Sequence, residues 1–396
     1  MPIFKCPENY AEVDFVNNQT RIKQLSGVIK STRKKTVKNT KIYTYLKKIR
    51  DSIRDFFRNF SKIVKIIFIN KEEDVIYMAV VCYGGLGDIT RYKAVLLEII
   101  KMCPNIVIDV YNKTARCLFK DIENIRFYLN IDAVNAVKKR YDVVFEFNYF
   151  TVNPLLINKK KQFVNKLSDN LAQYKNDYSF CFKFPIYEKD DFVINNINII
   201  NLLKITSGVN NIKDISFTIK AEKLLLTKFG IDDNSRFLTF QCGVGSSGVL
   251  DDTRCWSIEN WENLLTILRI KLTNIKFIQV GTSKHSVPGA DINLSGKTSL
   301  SELFCVLNKS LFHIDIDGAC SHFARAVGTK SLVMFGPTDG KFIGYPDNIN
   351  VISSLCRNCW SAKCPLGHAR PICMESIYPE FVAEKVIGYL KNYEKN

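Results

Sequence analysis

The sequence lacks long apolar runs. No stretch of its 396 residues approaches eighteen uncharged apolar residues, and the best candidate, residues 63–69, is short and contains Lys65. A transmembrane helix is therefore not predicted. Residues 1–14 also lack the apolar centre of a signal peptide, so we expect a protein that is not exported.

Complete nucleotide-binding motifs are missing as well. After the apolar run 75–82, Gly85 and Gly87 are followed by Thr90 where a dinucleotide fingerprint has its third glycine. A P-loop is excluded because Asp291 stands where the first glycine of that motif is required. No pair of carboxylates has metal-ligand spacing either. We expect neither an NAD site nor a catalytic cofactor, and chemistry that does not depend on a divalent ion.

Cysteine, by contrast, is plentiful. Thirteen cysteines are scattered along a chain far too long for a disulfide miniprotein, which fits a reducing cytosol. Four of them cluster near the C-terminus, in a loop 356–373 that opens with a C-x-x-C pair: Cys356, Cys359, Cys364 and Cys373. Four thiolates, with His368 as a substitute ligand, can close a tetrahedral structural site for zinc or iron. Reduced, unligated thiols are the alternative.

The net charge of +17 is unevenly distributed. Residues 21–65 hold fifteen Lys or Arg against two Asp, a net +13. From residue 46 to 67, apolar side chains recur every three or four positions with basic residues between them, which predicts an amphipathic helix. We expect residues 21–70 to bind an anionic membrane surface, where each basic residue adds about 1 kcal/mol. The alternatives are a helix packed on the protein's own body and, less favoured because no motif accompanies the charge, nucleic acid binding.

Beyond the basic extension, strand patterns alternate with helical ones. This alternation predicts α/β structure, in a first domain over residues 76–215 and a second over 216–396. We expect strands at 75–82, 105–112, 142–148, 237–240, 275–281, 311–316 and 331–335. We expect helices near 90, at 160–175, 193–206, 221–229 and 321–327, from 258, after the capping box Ser299 to Glu302, and from Pro379.

Residues 311–338, LFHIDIDGACSHFARAVGTKSLVMFGPT, form a complete strand, turn, helix and strand unit. In a parallel sheet, the crevice at the carboxyl ends of the strands binds ligands, and both DGACSH and GPT lie at such ends. The helix that opens near Ser321 and His322 directs N–H groups to that crevice, which suits a diphosphate. The glycine-serine loop 243–248 could cradle a phosphate, although such a loop alone is weak support.

This unit closely resembles the signature of the family nine glycosyltransferases, the ADP-heptose heptosyltransferases of bacterial lipopolysaccharide synthesis. Residues 78–88 (MAVVCYGGLGD) resemble the family's N-terminal strand and glycine loop, and residues 253–261 (TRCWSIENW) resemble the loop before the helix of its second half. The resemblance covers roughly residues 76–390. It implies a GT-B fold, with two Rossmann-like domains facing across a cleft, the first binding the acceptor and the second the nucleotide sugar, behind a basic helical extension over residues 1–75.

The resemblance also implies roles for particular residues. Asp88 would be the base that takes the acceptor's proton, with Gly85 and Gly87 on the acceptor side; the alternative is a helix cap. Arg254 would stabilise the departing diphosphate where the family has a lysine; the alternative is an ion pair with Asp251 or Asp252. The implied donor site consists of Gly243, Ser246, Ser247, Arg254, Asp317, Gly318, Ser321, His322, Gly336, Pro337 and Thr338.

The implied activity is transfer of a sugar with inversion from a nucleotide-diphosphate donor, ADP-heptose by resemblance. The implied acceptor is a lipopolysaccharide core or a related surface glycan, and the enzyme would be a cytoplasmic bacterial protein, peripheral on the inner face of the membrane. The rival interpretation is a noncatalytic glycan- or nucleotide-binding protein of the same fold, tethered by its basic arm.

Overall fold

The computed structural model describes residues 40–67, 71–112, 114, 116–182, 195, 197–210, 226–243, 253–356, 359–361, 363–368 and 370–393. Contacts divide the chain into two units. The smaller comprises Met1–Glu72 with Asp132–Arg140, and the larger comprises Glu73–Ile131 with Tyr141–Asn396. None of the helices in the described part of the chain is both long and apolar enough to span a membrane.

Strands and helices alternate through most of the described residues. The strands are β1 (Ile76–Cys82), β2 (Ile106–Tyr111), β3 (Ile125–Tyr128), β4 (Val143–Asn148), β5 (Thr151–Leu156), β6 (Phe237–Phe240), β7 (Lys276–Gln279), β8 (Ile292–Asn293), β9 (His313–Ile316), β10 (Ser331–Phe335) and β11 (Ile349–Ile352). The helices are α1 (Thr40–Ile67), α2 (Leu86–Met102), α3 (Arg116–Phe119), α4 (Val134–Val137), α5 (Gln162–Asp177), α6 (Ile199–Ser207), α7 (Ile258–Lys271), α8 (Leu300–Lys309), α9 (Ala319–Ala326), α10 (Gly340–Ile343), α11 (Ile372–Glu375) and α12 (Pro379–Tyr393).

The larger unit contains two sheets, which we call the first and second lobes. The first sheet has the order β3-β2-β1-β4-β5, parallel except for β5. The second has the order β11-β10-β9-β6-β7-β8 and is parallel throughout, which is the strand order of a Rossmann fold. The order reverses between β1 and β4 in the first sheet and between β6 and β9 in the second, and these switch points are where such sheets bind ligands.

The strands that flank the switch points are apolar because both faces of the sheet are covered. All seven residues of β1 and all four of β6 are buried. One apolar cluster runs from the first sheet into one face of the second, and it includes Val80, Phe145 and Phe335. The other face of the second sheet packs on α7 and α12, and the Trp256 indole there donates to the carbonyl of Ile377 at 3.0 Å.

The strand predictions for β1, β2, β4, β6, β7, β9 and β10 are confirmed, as are the helices α5, α7, α12 and the capping box that starts α8. The predicted helix 221–229 lies mostly outside the described residues, and its described end is a short 3-10 turn, Thr227–Phe229. Strand β9 begins at His313, two residues later than predicted, although the backbones of Leu311 and Phe312 still hydrogen-bond to β6.

In the smaller unit, α1 occupies the region where an amphipathic helix was predicted, and it contacts α4. Arg140 donates to the carbonyl of Ile67 at 2.6 Å, which closes the end of the helix. Two aromatic side chains of α1 face solvent: Phe56 is 63% exposed and Phe60 is 54% exposed, and their rings stack at 6.2 Å.

Candidate active site

Asp88 lies in the first turn of the helix that follows β1, at the switch point of the first lobe. Gly84 has a φ of +98°, and an added Cβ there would lie 2.8 Å from Oδ2 of Asp88, so only glycine fits. The N–H of Gly85 donates to Oδ2 of Asp88 at 2.9 Å. Helix α2 therefore begins after Gly85, and Asp88 occupies its third position. Its carboxylate accepts a hydrogen bond from the backbone of the N-cap residue, Gly85. Asp88 is therefore not itself the N-cap, as the alternative had it.

Arg91 lies one turn further along α2 and forms an ion pair with Asp88. Its side chain is only 2% exposed, whereas that of Asp88 is 22% exposed. The guanidinium also lies 5.7 Å from the centre of the Phe150 ring and donates weakly to the carbonyl of Tyr149 at 3.5 Å. Asp88, the candidate base, is therefore paired with a cation that is more deeply buried than the carboxylate itself.

Arg254 and Asp317 occupy the corresponding place in the second lobe. Nη1 of Arg254 donates to the carbonyl of Asp317 at 3.4 Å, just beyond the end of β9. Burial raises the pKa of the Asp317 carboxyl, while the charge of Arg254, the hydroxyl of Thr338 and the charge of Arg91 act in the opposite direction. Both residues are half-buried.

Helix α9 begins two residues earlier than the sequence suggested, at Ala319 after Gly318. The side chains of Ser321 and His322 are turned into the protein: the Ser321 hydroxyl donates to the carbonyl of Gly318 at 2.7 Å, and Nδ1 of His322 lies 2.6 Å from the phenol oxygen of Tyr345. The backbone N–H groups at the start of this helix are the groups suited to a diphosphate, since one polar atom of each of these two side chains is already hydrogen-bonded within the protein.

The two lobes meet where the loop after β1 reaches α9. A Cβ added to Gly87 would lie 2.7 Å from Cδ2 of His322 and 3.2 Å from Cα of Ala319. Arg91 and Asp88 are also close enough to Asp317 to influence the pKa of its carboxyl. The structure thus brings the start of α2, which holds Asp88, against the start of α9, which follows Asp317.

The remaining predicted donor residues differ in their burial and contacts. Gly243 is buried just after β6, and Thr338 is buried near Asp317. A Cβ on Gly336 would lie 2.6 Å from the sulfur of Met374, so this glycine accommodates the C-terminal segment. The carbonyl of Pro337 accepts from the N–H of Trp360 at 2.9 Å. Ser246, Ser247 and the alternative partners Asp251 and Asp252 lie outside the described residues.

The four clustered cysteines have different environments. Cys373 is buried on α11, Cys356 and Cys364 are half-buried, and Cys359 is exposed. Burial, and to a smaller extent the neighbouring thiols of Cys356 and Cys359, raise the pKa of Cys373 to about 11. Within the described ranges, no three His, Cys, Asp or Glu side chains are grouped as metal ligands.

Sequence reasoning missed Arg91 and Gln241. Arg91 stands three residues after Asp88 on a helix, a spacing at which oppositely charged side chains meet, so the pattern contained a usable signal. Gln241 follows β6, and its carboxamide is enclosed by Gly281 and Gly318; a Cβ on Gly318 would lie 2.5 Å from its Nε2. This contact depends on three separate strands, and no local pattern reveals it.

Two Rossmann-like lobes in one chain are the architecture of the GT-B class of glycosyltransferase folds. Within that class, residues 216–369 match the sequence profile of glycosyltransferase family 9 (heptosyltransferase). The resemblance found in the sequence is thus confirmed over these residues, which make up about two fifths of the chain. No curated protein sequence matches the chain.

Solved structures share the fold at low sequence identity. ADP-heptose lipopolysaccharide heptosyltransferase II of Escherichia coli matches with a TM-score of 0.53 and 12% identity over 81% of this chain and 100% of that chain. A family 9 glycosyltransferase from Veillonella parvula gives 0.50 and 15% over 80% and 98%. The dodecameric iron-containing glycosyltransferase TibC of enterotoxigenic E. coli gives 0.53 and 12% over 82% and 78%. The predicted GT-B fold is thereby confirmed.

The environment of His322 predicts a pH-dependent stability. Burial, followed by the charge of Arg91, lowers its pKa well below the usual value. The unfolded chain therefore binds a proton near pH 6.5 that the folded protein does not bind, and stability falls as the pH drops below that value. We expect this histidine to cost about 1 kcal/mol of unfolding free energy between pH 6.5 and 5.5.

Denaturant unfolding of His322→Gln at both pH values measures this difference. The variant should lose less stability than the wild type on acidification, with the exposed His285→Gln as the control for loss of a histidine. Equal losses in wild type and His322→Gln would contradict the prediction.

Proposed function

We propose that the protein transfers heptose from ADP-heptose, with inversion, to a lipopolysaccharide core or a related surface glycan. The family 9 domain and the fold support a glycosyltransferase, and a TibC complex with ADP-D-β-D-heptose supports this donor. A fold by itself does not determine chemistry, so the proposal depends on the residues in the crevice.

In the proposed reaction, Asp88 takes the proton of the acceptor hydroxyl while that oxygen attacks the anomeric carbon of the donor. The bond from this carbon to the diphosphate breaks, and its electron pair stays on the phosphate oxygen. Arg254 and the free N–H groups at the start of α9 would stabilise the charge that develops there. The observation that carries the proposal is the meeting of Gly87 with Ala319 and His322, because it brings the start of α2, which holds Asp88, to that helix start.

Asp88→Asn should abolish transfer while donor binding survives. Asparagine can still accept from the N–H of Gly85, but it cannot take a proton, and a general base contributes roughly 10²-fold to 10⁴-fold in rate. The measurement is ADP release from ADP-heptose in the presence of a deacylated lipopolysaccharide-core oligosaccharide, with ADP affinity by calorimetry. Asp121→Asn is a matched control, since it removes a carboxylate paired with another buried cation of α2, Lys93. Turnover of Asp88→Asn within a few-fold of wild type would reject the base.

Arg254→Ala provides the complementary test on the donor side. Because its guanidinium stands at Asp317, its loss should weaken ADP binding more than acceptor binding. Unchanged ADP affinity would remove Arg254 from the donor site. The rival function, noncatalytic binding, would appear as ADP-heptose binding by wild type with no transfer and no donor hydrolysis.

We also propose that Cys356, Cys359, Cys364 and Cys373 bind a structural zinc or iron ion, with His368 as a substitute ligand. The iron content of TibC and the electrostatic proximity of Cys356, Cys359 and Cys373 support this proposal. The described side chains do not form a ligand set, so binding would require the four thiols to move closer together. Four protein ligands would leave no open position, and no reaction step depends on this metal.

Protein purified without chelator should therefore contain about one zinc or iron per chain, which the Cys356→Ser, Cys359→Ser double variant should lose. Elemental analysis and thiol titration measure both. The Cys305→Ser variant is the control, since this buried thiol lies on α8 outside the cluster. Metal-free wild type whose four thiols all react would refute the site.

Finally, we propose that residues 21–70 hold the enzyme on the anionic inner face of the cytoplasmic membrane. Exposed Phe56 and Phe60 and the basic charge of the segment support this location. The proposed division is an extension over residues 1–75, an acceptor domain over 76–215 and a nucleotide-sugar domain over 216–396.

The double variant Phe56→Ser, Phe60→Ser should reduce binding to vesicles of anionic lipid while leaving transfer to the soluble oligosaccharide intact. Vesicle sedimentation at low and high salt separates the apolar from the screened part of the binding, since salt screens exposed charges beyond about 8 Å. Ile270→Ser, at a 70% exposed apolar site on α7, is the control. Unchanged sedimentation of the double variant would contradict the proposed membrane contact.

A further inference from the structure

We infer that Arg91 is a positioning residue for the reaction: it holds the carboxylate of Asp88 in the orientation in which that carboxylate accepts the acceptor's proton. This inference rests on the proposed function of Asp88. Neither the sequence pattern nor the family match assigns a role to Arg91.

Both oxygens of Asp88 are fixed by neighbours in the first lobe. Oδ2 accepts from the N–H of Gly85 at 2.9 Å, and Oδ1 accepts from Nη2 of Arg91. A carboxylate oxygen has two lone pairs, so each oxygen keeps one for another donor. Because Asp88 is partly exposed and Arg91 is buried, the carboxylate is the accessible part of this ion pair.

The guanidinium is itself held from several directions. Besides Asp88, it contacts the Phe150 ring at 5.7 Å and the carbonyl of Tyr149 at 3.5 Å. The Phe150 ring in turn packs edge-on against Phe342 and Trp360 of the second lobe, each at 5.9 Å between ring centres. The position of Arg91, and through it that of Asp88, therefore depends on contacts from both lobes.

Stability alone does not account for this buried cation. Nε of Arg91 is buried and has no hydrogen-bond partner among the described residues, and a buried unpaired donor costs free energy. Removing a guanidinium from water is itself costly and is only partly offset by one carboxylate. An apolar side chain would fill this space at lower cost, so we attribute the ion pair to the site.

The reaction gives the pair an electrostatic role as well. When the acceptor's proton moves to Asp88, the carboxylate becomes neutral, and Arg91 loses its counter-charge while negative charge develops on the leaving diphosphate. The charge of Arg91 already acts on Asp317 and Tyr345 of the second lobe. Its field therefore extends to the donor side of the crevice, where it would favour the departing group.

The test compares Arg91→Gln with Lys93→Gln in the full chain. Lys93 is the matched control: it is also a buried cation on α2 with 2% side-chain exposure, and it pairs with Asp121 instead of Asp88. Both variants remove a buried ion pair and should melt at lower temperature. Only Arg91→Gln should lower kcat for transfer to the oligosaccharide, by about 10²-fold, as expected for a misplaced catalytic group, with ADP affinity within about twofold of wild type.

Two further measurements separate positioning from folding. Added guanidinium at millimolar concentration should restore part of the activity of Arg91→Ala, and Arg91→Lys should retain more activity than Arg91→Gln. In an Asp88→Asn background, Arg91→Gln should cause little additional loss, because both act through one carboxylate.

The outcomes distinguish the positioning role of Arg91 from the proposed role of Asp88 as the base. If Asp88→Asn is inactive but Arg91→Gln turns over like Lys93→Gln, the positioning role is wrong while the proposed base stands. An additional full loss in the double variant would also overturn it. If Asp88→Asn is as active as wild type, the base and the role of Arg91 are both rejected.

Discussion

The close approach of Gly87 to the start of α9 is the constraint on which the crevice depends. The helix of the second lobe occupies the space that a side chain at position 87 would need, since His322 lies 2.7 Å and Ala319 3.2 Å from that Cβ position. A contact this short brings Asp88, the residue after Gly87, close to the start of α9. His322 can lie there because it is neutral: burial lowers its pKa, and its Nδ1 is engaged by Tyr345.

Much of this fold was predictable because its signals are local. Strands covered on both faces must be apolar, as Val80 and Val81 in β1 are, and glycines mark the points where the chain turns. The polar residues of β9 are the informative exception. Nδ1 of His313 lies 3.0 Å from the hydroxyl of Thr239, and its Nε2 lies 3.1 Å from Oδ2 of Asp315, so these buried polar groups pair with one another across two strands.

The parts of the site that escaped prediction are those whose partners come from distant segments. The pairing of Asp88 with Arg91 is local, but the ring of Phe150 that covers Arg91 comes from a distant segment and itself packs on Phe342 and Trp360. The early start of α9 has a similar cause. Ser321 resembles a cap in the sequence, yet its hydroxyl donates backward to the carbonyl of Gly318, and the helix begins before it. The sequence shows which polar groups are present, whereas the partners and orientation of those groups depend on how the fold packs.

The cysteine-rich loop connects these features. It approaches the end of β10, where Gly336 leaves room for Cys373 and Met374. The N–H of Trp360 donates to the carbonyl of the next residue, Pro337. Trp360 has a φ of +54°, a strained value for a bulky residue, and this conformation is held while its ring packs on Phe150. Phe150 also contacts the guanidinium of Arg91, which pairs with Asp88. The loop is therefore linked to Asp88 through three contacts: Trp360 with Phe150, Phe150 with Arg91, and Arg91 with Asp88. The loop can in this way influence the orientation of the Asp88 carboxylate, because Asp88 and Arg91 lie in the first lobe while part of their support lies in the second.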